Sequence, residues 1–520
     1  MCLKRTALWV GAFFACLAFS NTAIAQGPVP ISVTIDADAA TTPLPHFWEE
    51  MFGSGRAVLA LRKDYLDDVH TVKQATGFTY IRAHGILDDD IGLLYLDEHG
   101  KPQFNFSYVD QVYDGLLTNG VKPFVELSFM PQHLASDPNA IQAFWYKPNV
   151  SPPASWTAWD EMIARFVNHL IDRYGIDEVA TWYFEVWNEP NIDFWAGKPA
   201  QATYFDLYDH TARAIKAINP RLRIGGPATA QAAWAADFLA HCKERGIPVD
   251  FVSSHIYGND TAKDVFKTEE SIPRDRMVCR AAKKLHDEIG ASAYPKLPLI
   301  LSEYNASYAN EPNVTDTVYM GPWLAETISQ CDGLTNMMSY WAFSDVFEEQ
   351  GVVKTPFYGG FGLVAEDEIP KPALNAFAML HKLGETRLAN DSDSALVTRD
   401  AKGHLVVALW NYALPYGTGS EYTRPPKDPS AAKSFDLRLI HTKANYATMW
   451  ILDQDHGNAV KAFDEMGRPA TPTRDQIKQL REVGQLDPPA RLPLHDDRLL
   501  IKVPAQGLVV LEFGDRASPQ

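Results

Sequence analysis

The chain has 520 residues, of which 46% are hydrophobic and 22% charged, and its formal net charge is −18. This composition excludes a disordered chain and provides enough apolar material for a large core and more than one domain. The acidic balance repels phosphate backbones and so argues against a nucleic-acid partner, whereas it does not affect neutral ligands.

The N-terminus has the pattern of a secretory signal peptide. Lys4 and Arg5 precede an apolar stretch, and small residues at Ala23 and Ala25 predict cleavage after Ala25, which assigns residues 1–25 to the signal. The stretch is short for a membrane span and has no following cluster of stop-transfer charges, so we expect no integral span in the mature chain. The expected location is the periplasm or the exterior.

A short strand is predicted next. Residues 31–36, ISVTID, alternate apolar and polar side chains as a half-buried strand does, and the proline-containing run TTPLPH follows. The segment 26–45 has no partner in the region that comes after it. We therefore expect it to pair with a domain formed farther along the chain.

Residues 46–384 alternate eight short apolar runs with eight longer amphipathic ones. The runs that predict strands are 47–55, 78–85, 122–130, 180–188, 222–228, 250–258, 297–305 and 336–344. The helical patterns are 65–77, 108–120, 159–175, 204–218, 234–246, 276–290, 322–331 and 372–384. This alternation predicts a parallel sheet, and the count favours a closed (β/α)8 TIM barrel over an open doubly wound sheet.

The pattern changes in residues 385–520. Strands without regular helices between them are predicted at 395–400, 404–412, 434–440, 446–453 and 499–513, and 468–485 alone shows a helical pattern. This predicts an antiparallel β-sandwich, which the strand in 26–45 joins. The expected fold class is α/β: a TIM barrel with an accessory all-β sandwich.

Cysteines are few for an exported chain. Cys2 and Cys16 leave with the signal, and Cys242, Cys279 and Cys331 remain without a CxxC pair. At most one disulfide is possible. Because all three lie on helical patterns, we expect buried free thiols.

Two glutamates end predicted strands four and seven. In WYFEVWNEP, Glu185, Trp187 and Glu189 alternate onto one face of a strand, and Pro190 ends its hydrogen-bond ladder. Glu189 is then at the mouth of the barrel, while Glu185 is expected to be a buried acid hydrogen-bonded inside it. Glu303 follows the apolar run of strand seven. Two acids facing one cavity are what glycoside hydrolysis requires.

Other strand ends carry groups suited to sugars. Aromatic faces stack on sugar rings, and imidazole, amide and carboxylate groups bind hydroxyls. Strand two ends with Arg82 and His84, strand six with His255 and Tyr257, and strand eight with Trp341, Asp345, Glu348 and Glu349. Each residue alone has an equally good structural explanation, but their convergence on one face favours a binding site.

The stretches FEVWNEPN, LSEYNASY, IRAHGILDDD, SYWAFSDVFEE and SFMP resemble signature stretches of glycoside hydrolase family 39, a family of retaining enzymes with a TIM barrel. The resemblance covers residues 46–380, and the later strands with 31–36 are similar to the family's accessory sandwich. It implies an O-glycosyl hydrolase without a cofactor.

The resemblance also implies roles for single residues. Glu189 is the expected general acid/base, Glu303 the nucleophile and Asn188 a ligand of the sugar 2-hydroxyl. His84, His255 and Glu349 are expected to bind hydroxyls, Tyr257 to orient Glu303, and Trp341 to form the floor of the sugar site. Arg56 and Arg82 are expected either to set the field at the glutamates or to form ion pairs in the barrel interior.

A retaining site requires the two carboxyl groups about 5–5.5 Å apart, whereas an inverting site places them near about 9 Å. We expect the shorter distance. We also expect the pKa values of Glu189 and Glu303 to be driven apart, because one carboxyl must bind a proton while the other is ionised.

The family's main activities are those of β-D-xylosidase and α-L-iduronidase. The stretches that should line the sugar site carry acids and neutral groups, so we favour a small neutral oligosaccharide substrate and β-xylosidase activity in xylan degradation. Iduronidase, arabinosidase-like and endo-acting enzymes of the same clan remain open, as does a non-catalytic carbohydrate-binding protein. The histidines lack metal-ligand spacing, and no metal is expected. The oligomeric state is left open.

Overall fold

A computed structural model describes residues 29–426 and 432–515. The predicted signal peptide, with Cys2 and Cys16, lies outside these residues. Over the described part of the chain, no helix is both long and apolar enough to cross a membrane. Strands and helices are numbered below in chain order.

The centre of the protein is a closed barrel of eight parallel strands. They are β3 Met51–Arg56, β4 Tyr80–His84, β7 Lys122–Leu127, β8 Tyr183–Val186, β9 Arg223–Thr229, β10 Phe251–Tyr257, β11 Leu299–Asn305 and β12 Met337–Tyr340. Each strand pairs with the next, and β12 closes the barrel on β3. All eight predicted strands are present, and the prediction of a TIM barrel is confirmed.

Helices surround this barrel in the predicted alternation. They are α1 Lys63–Thr76, α2 Ser107–Thr118, α3 Trp156–Tyr174, α4 Ile176–Val179, α5 Ala200–Ile218, α6 Ala235–Arg245, α7 Ala262–Phe266, α8 Arg274–Ala291, α9 Met320–Cys331 and α10 Pro372–Leu380. Two small hairpins lie in loops: β5 Leu94–Leu96 with β6 Pro102–Phe104, and β13 Val364–Ala365 with β14 Ile369–Pro370.

Helix α3 illustrates why the sequence forms these elements. The Ser155 side chain caps its first turn by accepting from the N–H of Ala158. Its buried side chains, among them Trp159, Ile163 and Phe166, recur every three or four residues and form one apolar face. Gly175 ends the helix with φ of 82°, a conformation that glycine adopts without strain.

The barrel interior has two layers of different chemistry. The lower layer, near the strand beginnings, contains the buried apolar side chains Met51, Phe124, Phe251, Ile300 and Met337. The upper layer, near the strand ends, contains the buried polar side chains Arg82, His84, Glu126, Glu185, His255 and Glu303. The upper layer forms the bottom of the cavity described below.

The second region is built from two sheets. One has three strands in the order β1 Ile31–Asp36, β18 Lys433–Ile440 and β21 Arg498–Val503. The other has seven strands in the order β2 Thr41–Pro43, β15 Thr386–Leu388, β16 Ala395–Arg399, β17 Leu405–Trp410, β22 Leu508–Gly514, β19 Tyr446–Leu452 and β20 Ala490–Pro493. The N-terminal strands thus contribute to both sheets.

Several details of this region differ from the prediction. Strand β1 runs parallel to β18, although the other pairs are antiparallel. The predicted strand 499–513 is two strands, because residues 504–507 form a turn. Helix α12 Arg474–Val483 lies within the predicted 468–485, whereas α11 Ala459–Glu465 was not anticipated.

The expectation of free thiols is wrong for two of the three cysteines. Cys279 in α8 and Cys331 in α9 form a disulfide, whereas Cys242 is free and buried. Neither helix alone indicates the bond, because their adjacency depends on the closure of the barrel.

Candidate active site

A cavity of about 420 Å³ opens at the carboxyl ends of the barrel strands. Active sites of TIM barrels occupy this face because the loops that follow the strands meet there. It is lined by residues of β4, β10 and β11 and of the loops after β7, β8, β9, β10, β11 and β12: His84, Phe144, Asn188, Glu189, Ile192, Phe194, Ala230, Gln231, Tyr257, Asp260, Glu303, Tyr308, Trp341, Glu349, Gln350 and Phe361.

Glu189 reaches this cavity from a turn and not from a strand. Strand β8 ends at Val186, and both Trp187 and Glu189 have left-handed backbone, with φ of 73° and 44°. The predicted alternation of Glu185, Trp187 and Glu189 on one face is therefore wrong beyond Val186, and the Trp187 indole instead donates to the carbonyl of Phe194. The Glu189 N–H donates to the Ala228 carbonyl at 2.8 Å, which fixes the turn against β9.

Glu303 is held by two donors at the end of β11. Its Oε1 accepts from Nη1 of Arg82 at 2.7 Å, and its Oε2 accepts from the Tyr257 hydroxyl at 2.6 Å. Only 4% of the residue is exposed, and that part faces the cavity. Such donors stabilise an ionised carboxylate.

One carboxylate oxygen of Glu189 and one of Glu303 lie within 4.8 Å of each other. This spacing agrees with a retaining pair and is far shorter than the about 9 Å of an inverting one. His255 lies between them, with Nδ1 2.9 Å from Glu189 Oε1 and 3.6 Å from Glu303 Oε1. It is fully buried and contacts the two carboxyl groups from below, outside the cavity lining.

Arg82 organises the acids beneath the cavity. Besides Glu303, it contacts Glu126 at 2.8 Å, Glu185 at 2.5 Å and the side-chain oxygen of Asn188 at 3.0 Å. Burial disfavours its charge, but the surrounding carboxylates outweigh that effect and raise the pKa of Arg82. Glu185 is a fully buried acid bonded inside the barrel, as expected.

The surroundings favour the protonated form of Glu189. Burial raises the pKa of Glu189 to about 7, although the nearby His84 and Arg82 act in the opposite direction. Burial lowers the pKa of His255 to about 4, so this imidazole is neutral at neutral pH. Because no positive charge lies on His255, it adds no charge–charge attraction that would favour the Glu189 carboxylate.

His84 connects the barrel interior to the cavity wall. Its Nδ1 lies 2.7 Å from Glu126 Oε2, and its Nε2 lies 3.6 Å from Glu349 Oε1. Burial opposes its charge, but Glu126 outweighs burial and raises the pKa of His84. Burial raises the pKa of Glu349 to about 8. The Trp341 ring lies 4.7 Å from the imidazole and forms the adjacent wall.

Of the residues to which the family resemblance gives catalytic or sugar-binding roles, all except His255 line the cavity: Glu189, Glu303, Asn188, His84, Tyr257, Trp341 and Glu349. The other strand-end candidates, Arg82, Asp345 and Glu348, do not line it and form ion pairs with Glu185, Lys371 and Arg56. Arg56 does not contact either catalytic candidate but pairs with Asp90 and Glu348. Phe144 lies in the aromatic-rich stretch 128–149, where apolar walls of the site were expected. The lining residues that were not predicted are Ile192, Phe194, Ala230, Gln231, Asp260, Tyr308, Gln350 and Phe361. They carry no periodic signal, and proximity to a predicted residue was the main cue, as for Asp260, three residues after Tyr257, and Gln350, next to Glu349.

Among the residues that the structure describes, two groups bring three potential metal ligands within 4.8 Å of one another: Glu189 with His255 and Glu303, and His46 with Glu49 and His381. In the second group the imidazole Nδ1 atoms lie 2.5 and 2.8 Å from Glu49 Oε1. Tetrahedral zinc with bonds of about 2.1 Å separates its ligands by about 3.3 Å, so shared protons explain these contacts better.

Comparisons with known proteins agree with this geometry. The sequence model of the family described as Glycosyl hydrolases family 39 matches residues 31–495. A β-xylosidase from Geobacillus stearothermophilus is 39% identical over 445 residues, which are 83% of this chain and 85% of that protein. A β-xylosidase from Caldicellulosiruptor saccharolyticus is 34% identical and covers 88% and 92%. The crystal structure of a monomeric β-xylosidase from Caulobacter crescentus CB15 matches with a TM-score of 0.84 at 34% identity, over 94% of this chain and all of that one.

Proposed function

The chain belongs to glycoside hydrolase family 39, and from this membership we propose that it is a retaining, exo-acting β-D-xylosidase that releases xylose from xylo-oligosaccharides. One observation carries the proposal. Oxygens of Glu189 and Glu303 lie within 4.8 Å of each other over one cavity; burial favours a proton on Glu189, and Arg82 and Tyr257 donate hydrogen bonds to Glu303.

In the first step Glu303 is the nucleophile. Its carboxylate forms a bond to the anomeric carbon as the bond from that carbon to the leaving oxygen breaks. The proton on Glu189 passes to the leaving oxygen, so the departing sugar leaves as an alcohol. Arg82 and Tyr257 hold the two oxygens of Glu303 and so fix the direction of attack.

In the second step Glu189 is the base. It takes a proton from water, whose oxygen bonds to the anomeric carbon while the ester bond to Glu303 breaks. The two displacements on opposite faces restore the starting configuration. Neutral His255, in contact with both glutamates, positions Glu189 without adding a charge that would hold it ionised.

Asn188 and the cavity walls bind the sugar. The Asn188 side-chain oxygen accepts from Arg82, so its amide N–H groups are available to the sugar 2-hydroxyl. His84 and Glu349 offer polar atoms to other hydroxyls, and Trp341 offers an apolar face.

The charges of the cavity favour a neutral sugar. Among the described lining residues are four carboxylic acids, Glu189, Asp260, Glu303 and Glu349, and neither lysine nor arginine. A uronic acid would place its carboxylate among these acids without a cation to pair with, which is costly in a poorly hydrated site. A pentose has no such group.

A panel of nitrophenyl glycosides tests the proposal: β-xyloside, α-arabinoside, β-glucoside and α-iduronide. We expect the xyloside to be the best substrate and proton NMR to show the β-anomer as the first product. A larger kcat/KM for another sugar contradicts the substrate, and an α-anomer as first product contradicts the mechanism. Release of xylose alone from xylohexaose supports exo action, and mixed oligomers contradict it.

We also propose that the enzyme acts outside the cytoplasm, in the periplasm or the medium. The signal pattern of residues 1–25 and the disulfide Cys279–Cys331 support this, because such bonds persist in oxidising compartments. N-terminal sequencing of the exported protein should begin at Gln26. Retention of the full chain in the cytoplasm contradicts the proposal.

A further inference from the structure

Arg56, the last residue of β3, joins three loops beside the cavity. Its Nη1 donates to Asp90 Oδ2 at 2.8 Å and its Nη2 donates to Glu348 Oε2 at 2.9 Å. The guanidinium carbon also lies 5.5 Å from the centre of the Trp145 ring and 5.1 Å from that of Tyr146. One planar cation thus donates to two acids and lies over two aromatic rings, and lysine lacks the two separate donor nitrogens that this arrangement uses.

Two of these loops each supply a wall of the cavity. The β7 loop, residues 128–155, contributes Phe144, and the β12 loop, residues 341–363, contributes Glu349. These loops are also joined by a backbone hydrogen bond, from the N–H of Trp145 to the carbonyl of Glu349 at 2.8 Å, and the Trp145 ring lies beside Gly351. Two of the residues that contact Arg56 are chain neighbours of the cavity walls: Trp145 follows Phe144, and Glu348 precedes Glu349.

The charged groups of this junction are largely buried. The Arg56 side chain is 13% exposed and that of Glu348 10%, so their charges are largely removed from water. Burial opposes the charge on Arg56, but Glu348 and Asp90 outweigh it and raise the pKa of Arg56. The β12 loop also lies directly on β3, because a Cβ at Gly55 would be 2.5 Å from the Phe347 carbonyl oxygen. Little space remains for the loop to shift while Arg56 holds it.

The cavity rim beside Glu189 is more exposed. Ile192, three residues after Glu189, is 39% exposed, and Tyr308 is 56% exposed. Because Glu189 protonates the leaving oxygen in the proposed mechanism, that mechanism places the leaving sugar on this side. The side of Phe144 and Glu349 encloses the sugar that stays on the enzyme.

We propose that Arg56 is a positioning residue that fastens the β7 loop to the β12 loop and so closes the end of the cavity that holds the terminal sugar. The inference rests on the proposed function, because it makes this junction the feature that limits the enzyme to cleavage at the ends of xylo-oligosaccharides. Arg56 acts through Phe144 and Glu349 and touches neither catalytic glutamate.

Arg56→Met tests the proposal with Arg62→Met as its control. Arg62 also donates to Glu348, at 2.6 Å, but no contact links it to the β7 loop, and its side chain is 38% exposed. For Arg56→Met we expect KM for the aryl xyloside to rise about tenfold with a much smaller change in kcat, and mixed oligomers to appear among the products from xylohexaose. Arg62→Met should keep KM within about twofold and release xylose alone.

Hydrogen exchange gives a readout that does not depend on activity. The Trp145 N–H is bonded across the junction, so its exchange should accelerate in Arg56→Met and remain protected in Arg62→Met. If the wild type cleaves no xyloside, the proposed function fails, whereas this exchange result still decides whether Arg56 fastens the loops.

Two further variants decide the matter if Arg56→Met does not fold. Arg56→Lys keeps the charge but loses the planar contacts, and Trp145→Leu removes the ring at a residue that is 53% exposed. Both should raise KM, change the product pattern and speed exchange at the junction. Unchanged KM, products and exchange in these variants overturn the proposal, as does an equal effect of Arg62→Met.

Discussion

The two layers of the barrel interior have the same scaffold and opposite chemistry. The lower layer buries Met51, Phe124, Phe251, Ile300 and Met337, a set of apolar side chains that pack without polar requirements. The upper layer buries charged and polar groups around Arg82. Replacing buried ion networks by apolar residues is often neutral or stabilising. Stability alone therefore does not explain the upper layer, and we attribute its charges to the chemistry at the strand ends.

Glu303→Ala should have the largest effect on activity, because Glu303 is the upper-layer residue to which we assign the nucleophile role. Without the nucleophile, we expect kcat on the nitrophenyl xyloside to fall by about 10⁴-fold or more. Arg82 keeps Glu126 and Glu185 as partners, so the melting temperature should change little. Azide should restore turnover and yield the α-xylosyl azide, identified by NMR. A variant that keeps more than about 1% of the rate contradicts the assignment of the nucleophile.

Glu189→Gln separates the two proton roles. We expect the rate on xylobiose to fall by about 10²–10⁴-fold, while formation of the glycosyl-enzyme from a dinitrophenyl xyloside, whose leaving group needs no proton, changes far less. Because burial raises the pKa of Glu189 to about 7, wild-type activity on xylobiose should decline as pH rises through 7. Activity that increases from pH 7 to 8 contradicts this role.

The same pKa predicts a pH dependence of stability. The folded-state pKa of Glu189 lies above its value in the unfolded chain, so the folded state favours the proton and the resulting stability is lost as pH rises from about 4.5 to 7. Glu189→Gln should show a smaller decline of melting temperature with pH than the wild type; part of the decline should remain, because burial also raises the pKa of Glu349 to about 8.

Arg82→Met tests the charge balance of the upper layer. The change leaves Glu126, Glu185 and Glu303 buried without their cation, and we expect a loss of about 3–5 kcal/mol in the free energy of unfolding at pH 8. At pH 5 the loss should shrink: burial raises the pKa of Glu126 and Arg82 lowers it, so without Arg82 this acid can bind a proton. Denaturant unfolding at both pH values measures this. If variant and wild type are equally stable at pH 8, Arg82 does not offset the cost of burying these three acids.

Phe251→Leu should have the smallest effect and serves as the lower-layer control. Phe251 is fully buried and packs on Phe124 and Tyr183. We expect a loss of about 1 kcal/mol in stability and a kcat within about twofold of wild type. A tenfold loss of kcat would show that the two layers are not separable.

The sequence predicted the layers in part. Eight strands were recognisable because each combines an apolar run with a change of period before the next helix. Glu303 was placed correctly near a strand end because β11 continues to Asn305. Glu189 was placed near its position for a partly wrong reason, since the strand stops at Val186 and a left-handed turn delivers the side chain. Local alternation does not reveal where a strand gives way to such a turn.

Long-range pairings were the least predictable features. Arg82 was a candidate from its strand, but its contacts with Glu126, Glu185 and Glu303 depend on the closure of the barrel. The disulfide Cys279–Cys331 depends on two helices lying side by side. Phe144 and Tyr308 come from loops whose paths are set by tertiary contacts. None of these is encoded in a short window of sequence.

Strand β1 ends at Asp36, yet β18, the strand it pairs with, begins only at Lys433. A ribosome adding about 5–20 residues per second makes that partner about 20–80 s after β1. Throughout this interval the strand presents free N–H and C=O groups to any other nascent chain. A shortened gene product that stops before Lys433 keeps this edge open permanently, so expression of the barrel alone should give aggregates and not a smaller working enzyme.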